Sequence, residues 1–232
     1  MRSYEVAGKT VRMPCVVRDA SAGTALFEVD AGAAAALVPG GFRIVETAPG
    51  RCQLVLAVVD YRDNDLGDYR EVGVSVFVTP GTAGDGEAGT FIAHLPVDQE
   101  FTCEAGRAIW GFPKSVEEIG WDRSGDSLTS TLRMDGSLVF RLTLPAAGDD
   151  AMPPMPMVTY STIAGVPHAT RFTQGGTGSA VRPGGEGVTL ELGDHPLAGE
   201  LAALGLPAPA ILSTWTEHMQ GTFEAPERLA AA

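Results

Sequence analysis

Glycine, proline and aspartate cut this chain into short apolar stretches, and that punctuation constrains the fold more than any other feature. Residues 24–30 alternate apolar and polar, as a half-buried strand does, and 69–80 carry valine at every second position. Residues 42–47, 52–61, 90–97, 116–121, 127–134, 137–144, 158–163, 168–173, 188–192 and 211–223 read as further strands. Met134-Asp135-Gly136-Ser137 is a hairpin signal. Helical pattern is confined to 31–38, stopped by Pro39-Gly40-Gly41, to 98–108, with Asp98 as N-cap, and to 196–204. Residues 81–89 and 146–156 read as loops, and the glycine-rich run 174–187 as a flexible hairpin. Many short strands with few helices predict a mostly β fold, an antiparallel β-barrel or sandwich rather than a β-α-β fold. A single domain over residues 1–232 fits the length.

Charge and cysteine content bound the function. A formal net charge of −13 repels phosphate backbones and anionic lipid, so neither nucleic acid nor a membrane surface is expected as a partner. Cys15, Cys52 and Cys103 are odd in number and far apart, giving no disulfide framework and no C-x-x-C pair. Residues 1–14 lack an apolar core of the kind a signal peptide carries, and the longest apolar runs are too short to span a bilayer. The expectation is a cytoplasmic protein. His94, His168, His195 and His218 show no metal-binding spacing, and no G-x-S-x-G motif is present. No metal and no cofactor are expected.

The remaining chemistry lies in Gly106-Arg107-Ala108-Ile109-Trp110-Gly111-Phe112-Pro113-Lys114. Lys114 is one of two lysines against fourteen arginines, so a bland surface cation here could have been arginine. Arginine cannot release its proton in a protein, whereas a buried lysine can and then attacks carbonyl carbon. A free lysine titrates near 10.4, leaving only about one molecule in a few thousand as neutral amine at pH 7. A nucleophilic lysine therefore needs surroundings that disfavour its ammonium by about 5 kcal/mol, through burial or a neighbouring cation. Trp110, Phe112 and Pro113 are apolar neighbours of that kind. The plainer alternative is a snorkelling lysine whose stem is covered and whose ammonium sits in water.

The segment from Gly106 to Lys114 resembles the signature of the acetoacetate decarboxylase family, whose lysine forms a Schiff base with a keto acid. Asp98-x-Glu100 and His94 sit at the family's spacing, and Leu66-Gly67-x-Tyr69-x-Glu71 resembles its G-x-Y-x-E segment. Leu37-Val38-Pro39 and residues 206–226 are also similar, so the likeness covers most of the chain. It implies an antiparallel β-barrel or cone with a few short helices, a homo-oligomer, and a small keto acid as substrate. Lys114 and Glu71 would be catalytic, with Trp110, Phe112, His94 and Arg18 at the substrate and Arg12 behind Arg18; Tyr160 is a further acid–base candidate. Two departures bear on the reaction: Ser115 stands where the decarboxylase has a second lysine, and the family's second acidic residue falls on Leu56 by ungapped alignment. The implied reactions are decarboxylation of a 3-oxo acid or an aldolase-dehydratase reaction of pyruvate with an aldehyde. A non-catalytic barrel that binds an apolar metabolite is the rival outside enzymes.

Overall fold

The computed structural model describes residues 2–81 and 86–229. Its frame is β1 (Cys15–Asp30), β2 (Arg51–Asn64), β3 (Tyr69–Pro80), β4 (Gly89–Val97), β5 (Asp150–Ile163), β6 (Val166–Pro183) and β7 (Ala210–Phe223). Each strand pairs with the next, and β7 pairs back with β1, which closes a seven-stranded barrel. Every pairing is antiparallel except β4 with β5. An odd number of alternating strands cannot close without one parallel pair, and parallel neighbours need a long crossover. That crossover carries Lys114 and the motif that ends in it. It holds the helix Glu100–Ala105, a π-helical turn Gly106–Trp110, the short strand Lys114–Val116, and three strands, Glu118–Ser124, Ser127–Met134 and Ser137–Pro145. Thr189–Leu192 joins the edge of those three to make a second, four-stranded sheet.

The valine alternation of β3 has a direct consequence in packing. Leu54, Leu56 and Val58 of β2, with Val72, Val74, Val76 and Val78 of β3, are fully buried on the outer face of the barrel. They meet Leu128, Leu132, Phe140, Leu142 and Leu144 of the second sheet and Leu201 of the helix Pro196–Ala203. Burying each such side chain contributes about 1.5–3 kcal/mol, so the main core lies between barrel and sheet rather than in the lumen. The sheets approach so closely that a Cβ on Gly23 would lie 2.9 Å from Leu144 Cδ1 and 3.1 Å from Trp215. A second apolar cluster joins the N-terminal hairpin (Ser3–Val6 with Lys9–Arg12) to residues of the crossover, among them Cys103, Ile109 and Trp110.

Three expectations are corrected. Residues 150–156 belong to β5 instead of a loop, and the glycine-rich run continues β6 as far as Pro183. Its glycines answer crowding, since a Cβ on Gly176 would lie 2.2 Å from His218 O and one on Gly175 2.8 Å from Pro154 N. Gln99, not Asp98, caps the helix, its side chain accepting from Thr102 N at 2.7 Å while Asp98 accepts from Arg70 N. The hairpin at Met134–Ser137 forms as read, with Asp135 at φ 49° and Gly136 at φ 76°. Of the loop 81–89, residues 82–85 lie outside the described residues. No helix among the described residues is long and apolar enough to cross a membrane.

Candidate active site

The crossover delivers Lys114 to the lumen through a sequence of tight fits. The π-helical turn ends at Gly111, whose φ of 67° is left-handed, and a Cβ there would lie 2.7 Å from Thr162 O. Phe112 N closes the turn on Gly106 O at 3.1 Å. Trp110 is pinned by its own Nε1 donating to Glu224 O at 2.9 Å and by Ser161 Oγ donating to its carbonyl at 2.6 Å. Its ring lies parallel to that of Phe112, 6.0 Å between centroids. A Cβ at Gly106 would stand 2.5 Å from Lys114 Cδ and 2.7 Å from Cε. The signature glycine is thus the space in which the lysine stem lies.

At the end of that stem Lys114 Nζ is 2.7 Å from Glu71 Oε2, the two side chains being 4% and 12% exposed. Nζ also donates to Thr102 Oγ1 at 3.1 Å and lies 4.9 Å from the centre of the Tyr69 ring. The other carboxylate oxygen, Glu71 Oε1, accepts from Tyr61 OH at 3.3 Å, and the Tyr61 and Tyr69 rings stack at 4.5 Å. Burial above all, then the Glu71 charge, holds both phenols well above the usual tyrosine range, so they remain protonated donors. Burial, followed by the Asp65 charge, likewise pushes the nearby Cys15 thiol up to about 12.

Lys114, Glu71, Tyr61, Tyr69 and Cys15 line a cavity of about 180 Å³ to which every barrel strand contributes, through residues such as Ala57, Ile92, Thr159, Phe172 and Phe223. Lys114 and Glu71 are the only charged residues in its wall among the described residues. Most of the remainder is apolar, so a bound ligand would be screened from water and the two charges would act at close range.

The structure brings Lys114, Glu71, Trp110 and Phe112 together and separates the others. Arg18 is corrected by strand parity: Val17 faces the lumen, so Arg18 faces out and pairs with Asp63 at 2.8 Å and Asp65 at 2.7 Å. Arg12 is exposed. His94 is corrected by a bulge in β4: Ser75 faces Ile92 while Val74 faces His94, which turns the imidazole to the outer face beside Glu200, 3.1 Å away. Tyr160 donates to Glu87 O and is absent from the cavity wall. Leu56 is in the outer core, and the lumen positions beside it are Ala57 and Val59, so no second carboxylate enters the site on this strand. Ser115 pairs with Pro96 and does not line the cavity. Sequence reading missed Thr102 and Tyr61 as partners of the lysine and its carboxylate. Their signal is faint, because Thr102 is one residue of a short helix and Tyr61 a strand residue whose facing shows only once the register is fixed.

No curated protein matches the chain by sequence. Solved structures do resemble it. An acetoacetate decarboxylase from Legionella pneumophila superposes with TM-score 0.70 at 20% identity over 94% of this chain and 87% of that one. The enduracididine biosynthesis enzyme MppR complexed with pyruvate does so with TM-score 0.66 at 17% identity over 95% and 92%. An acetoacetate decarboxylase-like enzyme from Sphingomonas wittichii RW1 follows with 0.59 at 18% identity over 96% of each chain. These likenesses establish the fold. The family model for acetoacetate decarboxylase (ADC) matches residues 3–225, nearly the whole chain, and with the barrel and its lysine in place the chain belongs to the acetoacetate decarboxylase family.

Proposed function

We propose that the protein is a lyase that forms an iminium between Lys114 and the ketone of a small 3-oxo acid and uses it to release carbon dioxide. The observation that carries this reading is the ion pair itself: a buried lysine 2.7 Å from the one carboxylate in the wall of an apolar cavity. Glu71 Oε2 takes a proton from Nζ, and the free amine adds to the ketone carbon. Glu71 returns that proton to the carbinolamine hydroxyl, which leaves as water, and the protonated iminium remains. The bond to the carboxylate then breaks and its electron pair flows to the iminium nitrogen, leaving an enamine. A solvent proton passed through Glu71 ends on the enamine carbon, and water frees the ketone and restores the ammonium. Tyr61 and Thr102 orient Glu71 and Lys114 through the hydrogen bonds described above.

The wall favours decarboxylation over reactions that keep the substrate carboxylate. Its one cation becomes the iminium, whose charge is neutralised as the electron pair from the breaking bond reaches nitrogen, and no arginine lines the cavity among the described residues to hold an anion that stays. A carboxylate facing apolar groups gains little in the ground state and loses its charge as carbon dioxide forms. The second reading is condensation of pyruvate with an aldehyde. It is supported by likeness to MppR, seen with pyruvate and with the condensation product of pyruvate and imidazole 4-carboxaldehyde, the latter at TM-score 0.62 and 16% identity.

Borohydride reduction in the presence of acetoacetate, other 3-oxo acids or pyruvate, followed by intact-mass and peptide mapping, tests the covalent step. An adduct on Lys114, lost in Lys114→Ala, is expected, with carbon dioxide release from 3-oxo acids. Absence of any adduct returns the chain to the class of metabolite-binding barrels.

A further inference from the structure

The lumen beyond the ion pair is built for more than acetoacetate. Between β2 and β3 the facing pairs run Tyr61 with Tyr69, Val59 with Glu71, Ala57 with Gly73, and Val55 with Ser75. The cavity follows the β3 side of this ladder from Tyr69 through Glu71 and Gly73 to Ser75, a further four residues past Glu71 or about 13 Å. Its narrowest side chains, Ala57 and Gly73, stand opposite each other immediately beyond the carboxylate.

Nothing in the fold requires a glycine at that place. Gly73 has no left-handed φ, and a Cβ built on it would make ordinary contacts, 3.5 Å from Ala57 Cβ and 3.7 Å from Leu95 Cδ1. It thus differs from Gly106 and Gly111, whose Cβ would collide with Lys114 or with backbone. What its missing side chain provides is open cavity. The volume is more than acetoacetate fills: the cavity measures about 180 Å³, a water needs about 10–15 Å³, and acetoacetate has only about seven non-hydrogen atoms.

A polar group waits at the far end. Ser75 is 8% exposed and lines the cavity, and its hydroxyl makes no hydrogen bond among the described residues. The neighbouring Thr159 hydroxyl is already spent, donating to Thr90 O at 3.1 Å. Unlike the sealed hydroxyls of Ser130 and Ser213, that of Ser75 opens on the cavity, where a ligand group can take the place of water as its partner.

We propose that the substrate is a 3-oxo acid whose ketone carries an apolar arm of several carbons ending in a hydrogen-bonding group. The arm lies across the flat stretch of wall that Ala57 and Gly73 form side by side, and its end meets Ser75. This rests on the iminium reading, which fixes the ketone carbon at Lys114. Each methylene of the arm that is buried is worth about fourfold in binding, so three or four raise kcat/KM by roughly 60- to 250-fold over acetoacetate.

The test is carbon dioxide release and borohydride trapping across straight-chain 3-oxo acids from acetoacetate to 3-oxooctanoate, with and without a terminal hydroxyl. Wild type is expected to prefer the longer acids, and Gly73→Val to reverse that preference by tenfold or more, with Gly73→Ala intermediate should the valine variant fold poorly. Ser75→Ala is expected to remove the advantage of the hydroxylated acid over its plain counterpart while leaving the chain-length preference. Adducts on Lys114 with acetoacetate equal to or better than the longer acids would overturn the arm and spare the iminium. A chain-length preference unmoved by either Gly73 variant overturns the place assigned to the arm. No adduct with any acid overturns both.

Discussion

The two faces of β2 and β3 come from the same residues taken alternately, and they are different materials. Outward, Leu54, Leu56, Val58, Val72, Val74, Val76 and Val78 are wholly buried against another sheet, without a polar atom among their side chains. Inward, Tyr61, Tyr69, Glu71, Gly73 and Ser75 surround a cavity with hydroxyls, a carboxylate and an absent side chain. Small closed barrels commonly fill their lumen with side chains. Here the second sheet provides an apolar core outside, which leaves the lumen free to hold a buried ion pair and empty space that no stable core would tolerate. Stability and chemistry are therefore separable by residue parity, and each of the following outcomes would sharpen or break that separation.

The largest effect belongs to the lumen. Glu71→Gln keeps side-chain volume and removes the proton acceptor, so turnover should fall by about 10²–10⁴ and the borohydride adduct on Lys114 should form more slowly, since the same carboxylate serves iminium formation and enamine protonation. Single-turnover trapping beside steady-state carbon dioxide release distinguishes the two steps. A wild-type turnover rate would remove Glu71 from the mechanism. Next comes the outer face: Phe140→Ala, at a fully buried site facing the barrel, should cost about 3–5 kcal/mol in urea unfolding, with the folded fraction retaining wild-type kcat. If kcat collapses with stability, the two faces are one cooperative machine and the parity argument fails.

How far the sequence showed this division depended on the range of the interaction. The outer face was legible because valine at alternate positions over 69–80 is a local pattern, and the hairpin at Asp135-Gly136 is fixed by two residues. Motif spacing singled out Lys114 and Glu71, and the structure sets them 2.7 Å apart. Facing was not, because it depends on register. A bulge at Ala93 sends His94 outward although it sits two residues from the lumen-facing Ile92, and β1 points Arg18 away from the cavity that Val17 lines. Nor could composition show that glycines in 174–187 lie within a strand, since the crowding comes from β5 and β7, distant in sequence.

The faces should also differ in how they meet alkali. The Cys15 thiol lines the lumen and is pushed by burial from 9.0 up to about 12. An acid whose folded value is raised contributes stability that is whole below its unfolded value and is lost as pH rises towards the folded one. Between pH 9 and about 11 that loss amounts to about 2 kcal/mol for Cys15, and the raised phenols of Tyr61 and Tyr69 act in the same direction. Urea midpoints at pH 8 and 11 should converge in Cys15→Ala relative to wild type. Equal losses in both would mean that the thiol ionises as readily in the folded lumen as in the unfolded chain.

The smallest effect lies on the outer face at the other end of the pH scale. Asp19 accepts from Arg62 Nε at 2.8 Å and Nη2 at 3.0 Å, and from His218 at 3.1 Å. The Arg62 hydrogen bonds, against a desolvation cost and with help from His218, hold its carboxyl at about 2 rather than 3.8. A depressed carboxyl stabilises above its unfolded value and loses that contribution as pH falls through the folded one, so the window runs from 3.8 down to about 2. Solvent reaches a third of both side chains, 35% for Asp19 and 34% for Arg62, and screening reduces the contribution to about 1 kcal/mol. Asp19→Asn should therefore be about 1 kcal/mol less stable than wild type at pH 7 and equal to it at pH 2, with catalysis untouched because Asp19 does not line the cavity. A deficit that persists at pH 2 would assign the loss to packing or to the orphaned Arg62. A fall in kcat would show that this exposed network, running through Arg62 and Ser21 to Glu217, is coupled to the lumen after all.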